Sequence, residues 1–251
     1  MSGHSHWATI KHKKGATDAN RGKLWSKLSR AIIIAARHGG GDPNMNLKLR
    51  YAIDKARKVS MPKDNIERAI KRGTGEVEGL TFEEITYEGF GPGGTAILVE
   101  VLTDNRNRTN GEVRKIFERA GGNMGGAGCV GYLFDRKGVF QVAAEGLDED
   151  ALMATALDAG ADDLRPAGTA TFEILCDPIA FNKVQEALQK AGLKVTNAEL
   201  AQTPKMPVDA DVDAARKVVR LLEALDDHDD TQNVYCNLNM TDALMAELEK
   251  E

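Results

Sequence analysis

The chain has 251 residues, 42% of them hydrophobic, 28% charged and only 5% aromatic, so its core must be mostly aliphatic. The longest apolar run, Ala31 to Ala36, falls far short of the ~20 residues of a membrane span, no secretory leader is visible, and the widely spaced Cys129, Cys176 and Cys236 form neither a disulfide framework nor a zinc pattern. A reduced cytoplasmic protein is expected, with each cysteine a small buried hydrophobe. The net charge of -5 conceals a segregation: residues 1–75 hold 17 Lys+Arg against 5 Asp+Glu, a net of +12, and residues 76–251 hold 16 against 33, a net of -17. This is the pattern of a basic module that meets a polyanion, carried on an acidic body; the plainer reading is a solvated basic surface.

Residues 1–22 read as a polar, basic arm with Lys11, Lys13, Lys14 and Arg21, anchored only by Trp7 and Ile10. Residues 23–38 read as a helix. Leu24, Leu28, Ala31, Ile32 and Ala35 share its apolar arc, with Trp25 at the edge. Lys23, Lys27, Arg30 and Arg37 form the opposite, basic side, and Ile34 interrupts that side in a way that suggests contact with another element. After Gly39-Gly40-Gly41 and the turn Asp42-Pro43-Asn44, a second helix spans about Met45 to Val59, with Leu49, Ala52, Ile53 and Ala56 inside and Lys48, Arg50, Lys55, Arg57 and Lys58 outside. A third runs from Pro62 to about Arg72, with Asp64–Arg68 and Glu67–Lys71 spaced as i,i+4 pairs.

From residue 80 the pattern becomes α+β. Glu84–Glu88 and Thr95–Thr103 read as strands around a Gly/Pro turn, Thr109-Asn110-Gly111-Glu112 as a capping box before a helix ending at Ala120-Gly121, and Cys129–Phe134 as a third strand. Strands at Val139–Ala143, Thr171–Cys176 and Val195–Ala201 alternate with helices at Asp148–Ala159 and Pro178–Ala191. Thr95 to Asp104 with Ala120-Gly121 weakly echoes Thr169 to Asp177 with Ala191-Gly192. Past Pro204 and Pro207, a helix from Asp211 to Leu225 and a strand from Val234 to Asn239 complete the earlier unit, leaving the acidic Asp226–Asp230 exposed. Three domains are expected: a basic helical one over 1–78, a discontinuous α+β one over 79–134 and 207–251, and an α+β one over 135–206 inserted into it.

No chemical constellation stands out. Gly126, Gly128 and Gly131 spell G-x-G-x-x-G, but a helix precedes and a strand follows, the reverse of the dinucleotide-binding order, so no cofactor is expected. Four of the five histidines (His4, His6, His12, His38, His228) lie near the N-terminus without an orienting partner, and no catalytic residues or enzyme activity are expected. Asp226–Asp230 lacks the glycine and terminal glutamate of a calcium loop. With Met1 removed, Ser2-Gly3-His4 would offer a square-planar nitrogen set for Cu(II) or Ni(II), read here as adventitious, so no metal is expected. Arg106, Asn107, Arg108 and Thr109, placed before a helix start, suit phosphate or form a solvated basic turn.

Several segments resemble the YebC/PmpR family. They are Gly3-His4-Ser5-His6-Trp7, Ile10-Lys11-His12-Lys13-Lys14-Gly15 with Asp18 and Arg21-Gly22-Lys23, Met61 to Ile70, Tyr87 to Gly94, Asp104 to Thr109, and Gly121-Gly122-Asn123-Met124-Gly125. The resemblance spans essentially the whole chain. It implies an α+β protein of three domains, a three-helix one with a basic arm and two related sandwich-like α+β ones. It also implies a cytoplasmic, DNA-binding transcriptional regulator, or a ribosome-associated factor that contacts ribosomal RNA and eases translation of proline-rich stretches, as relatives that include the mitochondrial translational activator of cytochrome c oxidase suggest. The expected partner is DNA or ribosomal RNA, with no membrane and no small-molecule substrate. The candidate nucleic-acid contacts are Lys11, Lys13, Lys14, Arg21, Lys23, Lys27, Arg30, Arg37, Arg57, Lys58, Arg106 and Arg108, with Trp7 and His6 for stacking. Few Asn or Gln lie among them, which suits recognition of backbone and shape more than of base sequence.

Overall fold

A computed structural model describes residues 18–79, 81–167 and 171–248. Three helices open it: α1 (Asp18–Gly39), α2 (Leu47–Lys58) and α3 (Lys63–Gly73). Helix α1 begins five residues before the expected start, so Arg21 is helical. The three share one aliphatic core that includes Ile32, Ala36, Leu49, Ile53, Met61 and Ile66. Gly73 lets α3 approach α1 closely, since a Cβ there would sit 2.5 Å from the Ile33 carbonyl oxygen. Asn46 sets the turn between α1 and α2. Its Oδ1 accepts from Leu49 N–H at 3.1 Å, and its Nδ2 donates to the carbonyls of Ala35 at 2.7 Å and Gly40 at 2.8 Å.

Two antiparallel four-stranded sheets follow. The first contains β1 (Glu83–Phe90), β2 (Ala96–Thr103), β3 (Asn123–Met124) and β8 (Thr231–Cys236), in the spatial order β3-β1-β2-β8. The second contains β4 (Phe134–Ala143), β5 (Ala161–Pro166), β6 (Thr171–Cys176) and β7 (Val195–Pro204), in the order β5-β6-β4-β7. The helices α4 (Arg106–Arg119) and α7 (Val212–Asp227) contribute Val113, Phe117, Val218 and Leu222 to the core over one face of the first sheet. The helices α5 (Glu149–Asp158) and α6 (Phe181–Lys190) do the same for the second with Leu152, Ala156, Val184 and Leu188. The opposite faces meet each other: Ala96, Leu98 and Tyr235 share a cluster with Val139, Leu175 and Ala201. Layers therefore run helix, sheet, sheet, helix. This explains why β2 is buried almost throughout and reads as an apolar run instead of an alternation.

Three local expectations are corrected. Residues 129–134 do not form the third strand of the first sheet. A 3₁₀ turn occupies Gly131–Leu133, Phe134 begins β4, and the third strand is the two-residue β3 within the glycine-rich segment. Helix α4 starts a turn early because Asn105, not Thr109, caps it, accepting from Arg108 N–H at 3.1 Å. Asp226–Asp230 is exposed only in part: Asp227 and Asp229 are exposed as expected, but Asp226 and His228 are half-buried, and Asp230 is 2% exposed. Strand β5 and helix α8 (Asp242–Leu248) had no counterpart in the sequence reading. Cys176 and Cys236 are buried and their thiols pushed up to about 11 and about 12 by burial, whereas Cys129 is only partly covered.

Candidate nucleic-acid interface

The basic stripe of α1 faces the protein itself. Lys23 Nζ pairs with Asp227 at 2.9 Å, Lys27 donates to the Asp226 carbonyl at the end of α7, and Arg30 donates to the Asp229 carbonyl and lies 3.1 Å from the Asp230 carboxylate. Ile34, the next residue on that stripe, is buried yet outside the three-helix core, and α1 touches β8. The carbonyl end of α7 carries partial negative charge, which adds to the aspartates in attracting these cations. The sequence signals were Ile34 within the basic side and the acidic run after Leu225; only the fold brings them together.

Asp230 is the hub of this contact. Its carboxylate accepts from Thr109 Oγ1 at 2.6 Å and Arg108 at 2.7 Å, and Arg30 lies beside it. Burial opposes its charge, but these donors outweigh burial and hold its carboxyl below the usual range. Arg108, also bonded to Asp104 at 2.9 Å, is committed to this network. The start of α4 is therefore not a free phosphate site: Asn105 caps it and Arg108 turns to Asp230, while Arg106 remains exposed.

The glycine-rich segment is likewise occupied. Gly128, Val130 and Gly131 each donate a backbone N–H to Glu88 at 2.7 Å. Burial raises the Glu88 pKa, and the three N–H donors more than offset that, leaving it lowered. The donors that could cradle a phosphate there already hold a carboxylate.

Among the remaining candidates, Arg37 donates to the Phe82 carbonyl at 3.5 Å, Arg57 lies 3.6 Å from Asp54, and Arg21 and Lys58 are exposed. Lys11, Lys13, Lys14, Trp7 and His6 lie outside the described residues, as does Ser2-Gly3-His4. The expected pairs Asp64–Arg68 and Glu67–Lys71 do not form; Glu67 instead lies 3.4 Å from Lys63. Lys48, Lys58, Arg68, Lys71 and Arg72 are exposed and carry no acidic partner among the described residues. These cations on α2 and α3 make the open basic surface, and of them only Lys58 is among the contacts expected from the sequence. Helix α2 is docked on the second sheet's unit along the same stripe, between Lys48 and Lys58: Tyr51 bonds Asn182 and packs edge-on to Phe181 of α6, and Lys55 pairs with Glu199 of β7 at 3.1 Å.

Between α1 and α3 a cleft of about 410 Å³ opens, walled by Trp25, Phe82, Asn65 and Arg72, with Ser26 and Ser29 along it. Among the described residues no cluster of His, Cys, Asp or Glu is suited to a metal, and no helix is long and apolar enough to cross a membrane.

Residues 5–76 match the family described as "TACO1/YebC protein N-terminal domain", and residues 82–238 match "TACO1/YebC second and third domain". A "Probable transcriptional regulatory protein" of Geobacter sulfurreducens is 53% identical over 248 residues, covering 99% of this chain and all of the relative. One of Dictyoglomus turgidum is 51% identical over 249 residues with the same coverage. The crystal structure of a conserved hypothetical protein from Aquifex aeolicus superimposes with a TM-score of 0.84 at 47% identity, covering 94% of this chain and 98% of that one.

Proposed function

Because the chain belongs to the TACO1/YebC family, we propose that it is a non-enzymatic regulator of gene expression that binds nucleic acid in the cytoplasm through its helical domain. The observation that carries this reading is the segregated charge, +12 over residues 1–75 against -17 over the rest, together with the exposed Lys48, Lys58, Arg68, Lys71 and Arg72 of α2 and α3, which have no acidic partner among the described residues. Those cations project from a rigid helical core, while the acidic body repels a polyanion from the other side and so orients the encounter. Relatives bear the name of transcriptional regulators, which makes DNA the first ligand to test.

A second reading, contact with ribosomal RNA, is favoured by the chemistry of the open surface. Arginine and lysine dominate it, with Asn65 the one amide among the described residues that line the cleft, and the basic stripe of α1 is docked on the acidic corner. Such a surface suits phosphates and irregular shape. Crosslinking in cells, with sequencing of the attached nucleic acid, separates the two. Promoter DNA supports transcription; ribosomal RNA supports the ribosome; no crosslinked nucleic acid overturns both. A thousand-fold preference for one duplex over random DNA, without ribosome association, would restore a sequence-reading regulator.

A further inference from the structure

The cleft between α1 and α3 combines features that no role described so far uses. Its volume of about 410 Å³ lies within the ~300–1,000 Å³ of small-ligand sites. It continues into a smaller hollow of about 160 Å³ that shares Ser29, Ile33, Asn65 and Arg72 and adds Arg68. One wall is Trp25, whose ring is held by an Nε1–H donated to the Val59 carbonyl at 3.3 Å. Another is Phe82, with the Arg30 guanidinium 5.6 Å from its ring centre. Arg30 is fixed in turn by the acidic corner, so this wall is set by the docking of α1. Hydroxyls of Ser26 and Ser29 and the amide of Asn65 offer donors and acceptors between the rings. Arg68 and Arg72, one helical turn apart on α3, stand at the rim without acidic partners among the described residues.

Flat aromatic walls, a few neutral hydrogen-bonding groups and two spare guanidiniums together match a nucleotide: a base to stack, an edge to bond and a phosphate on each side. Bases within a duplex are already stacked and present only their edges, so an open cleft with aromatic walls offers its rings to unpaired ones. A ligand without phosphates would leave Arg68 and Arg72 unused. We propose that this cleft is a binding site for an unpaired nucleotide of a single-stranded segment, with the base beside Trp25 and Phe82 and the flanking phosphates on Arg68 and Arg72. The proposal rests on the nucleic-acid reading above and adds its site and the strandedness of its ligand.

The test uses the full chain carrying Trp7→Phe, which leaves Trp25 the sole tryptophan. It is titrated with a mixed-sequence hexanucleotide, as RNA and as DNA, and with a blunt hairpin duplex, reading tryptophan emission and, separately, anisotropy of a dye on the oligonucleotide. The single strand is expected to quench Trp25 and the duplex to leave it unchanged. Arg68→Glu and Arg72→Glu should each weaken single-strand binding about tenfold and flatten the salt dependence by about 0.7 in log–log slope per lost phosphate contact. Both positions are exposed, so thermal unfolding should match the parent. A stronger response to RNA than to DNA identifies the source, and either supports the cleft. Equal quenching by the duplex overturns the single-strand assignment. Anisotropy-detected binding that leaves Trp25 unquenched and ignores both reversals overturns the cleft while leaving nucleic-acid binding intact. No binding of any form by the unsubstituted chain, read by anisotropy, overturns both.

Discussion

Asp230 is charged, 2% exposed and surrounded by Thr109, Arg108 and Arg30, so its ionised form belongs to the folded state. Because its folded pKa is depressed, the stabilisation is present above the unfolded value of ~3.9 and is lost as pH falls through the folded one. The melting temperature should therefore decline below about pH 4, and Asp230→Asn should decline less over that window. At neutral pH the same variant leaves Arg108 with Asp104 and Arg30 with the Asp229 carbonyl, so the loss in urea unfolding should fall below the ~3–5 kcal/mol of a broken buried pair. An unchanged midpoint would mean that Arg108 and Arg30 find equivalent partners. Glu88 makes a parallel case. Glu88→Gln leaves one acceptor oxygen for three N–H groups, and amide exchange at Gly128, Val130 and Gly131 should accelerate while the core of α7 stays protected.

At the scale of elements, α1 has two working faces. The aliphatic one builds the helical core, and the basic one fastens that core to the end of α7. Lys23→Glu, Lys27→Glu and Arg30→Glu together should place like charges against Asp226, Asp227 and Asp230. The expected result is undocking, seen as a larger radius of gyration in solution scattering with little loss of helical circular dichroism. If the triple variant keeps its compact scattering profile yet loses nucleic acid, these residues contact the ligand directly and the docked arrangement is not the one that binds. The turn from α1 to α2 depends on Asn46, which serves as a cap and also bonds the carbonyls of Ala35 in α1 and of Gly40 just after it. Asn46→Ala should cost at least the ~1 kcal/mol typical of a lost cap, measured by chemical unfolding of the full chain.

The whole molecule is a charge dipole whose basic domain is fastened at the acidic corner and, through Tyr51 and Lys55, to α6 and β7. The two sheets share a core to which the helical domain adds no residue, and Tyr51 alone packs against the helix-side core of the second sheet, so residues 79–251 alone should fold. That fragment exposes Asp226–Asp230 and the surface against Ile34, and should unfold at lower temperature than the full chain. It should bind no nucleic acid at low salt, since its charge is overwhelmingly negative. Retained binding by the fragment, checked by mobility shift, would move the site to Arg106 or to the helices over the sheets.

Segments whose pattern depends on their own residues were legible in the sequence: the aliphatic stripes of α1, α2 and α3, the β-branched run of β2, the strand–helix alternation after residue 134, the α+β class and the family itself. The short β3, stabilised by pairing with β1 across Gly89 and Phe90, has no such signature, and neither does β5, an edge strand with little burial. The N-terminus of α4 is not legible because Asn105 and Thr109 are both competent caps, and Thr109 is instead taken up by bonds that include one to Asp230, 121 residues away. Charge composition marked the helical domain as the basic module. It could not say which cations face outward, because a stripe of Lys and Arg looks the same whether water or a distant aspartate neutralises it. Tertiary structure decided that: docking turned Lys23, Lys27, Arg30 and Arg108 inward to the acidic corner, left Lys48, Lys58, Arg68, Lys71 and Arg72 outside, and set Trp25 and Phe82 about one cleft.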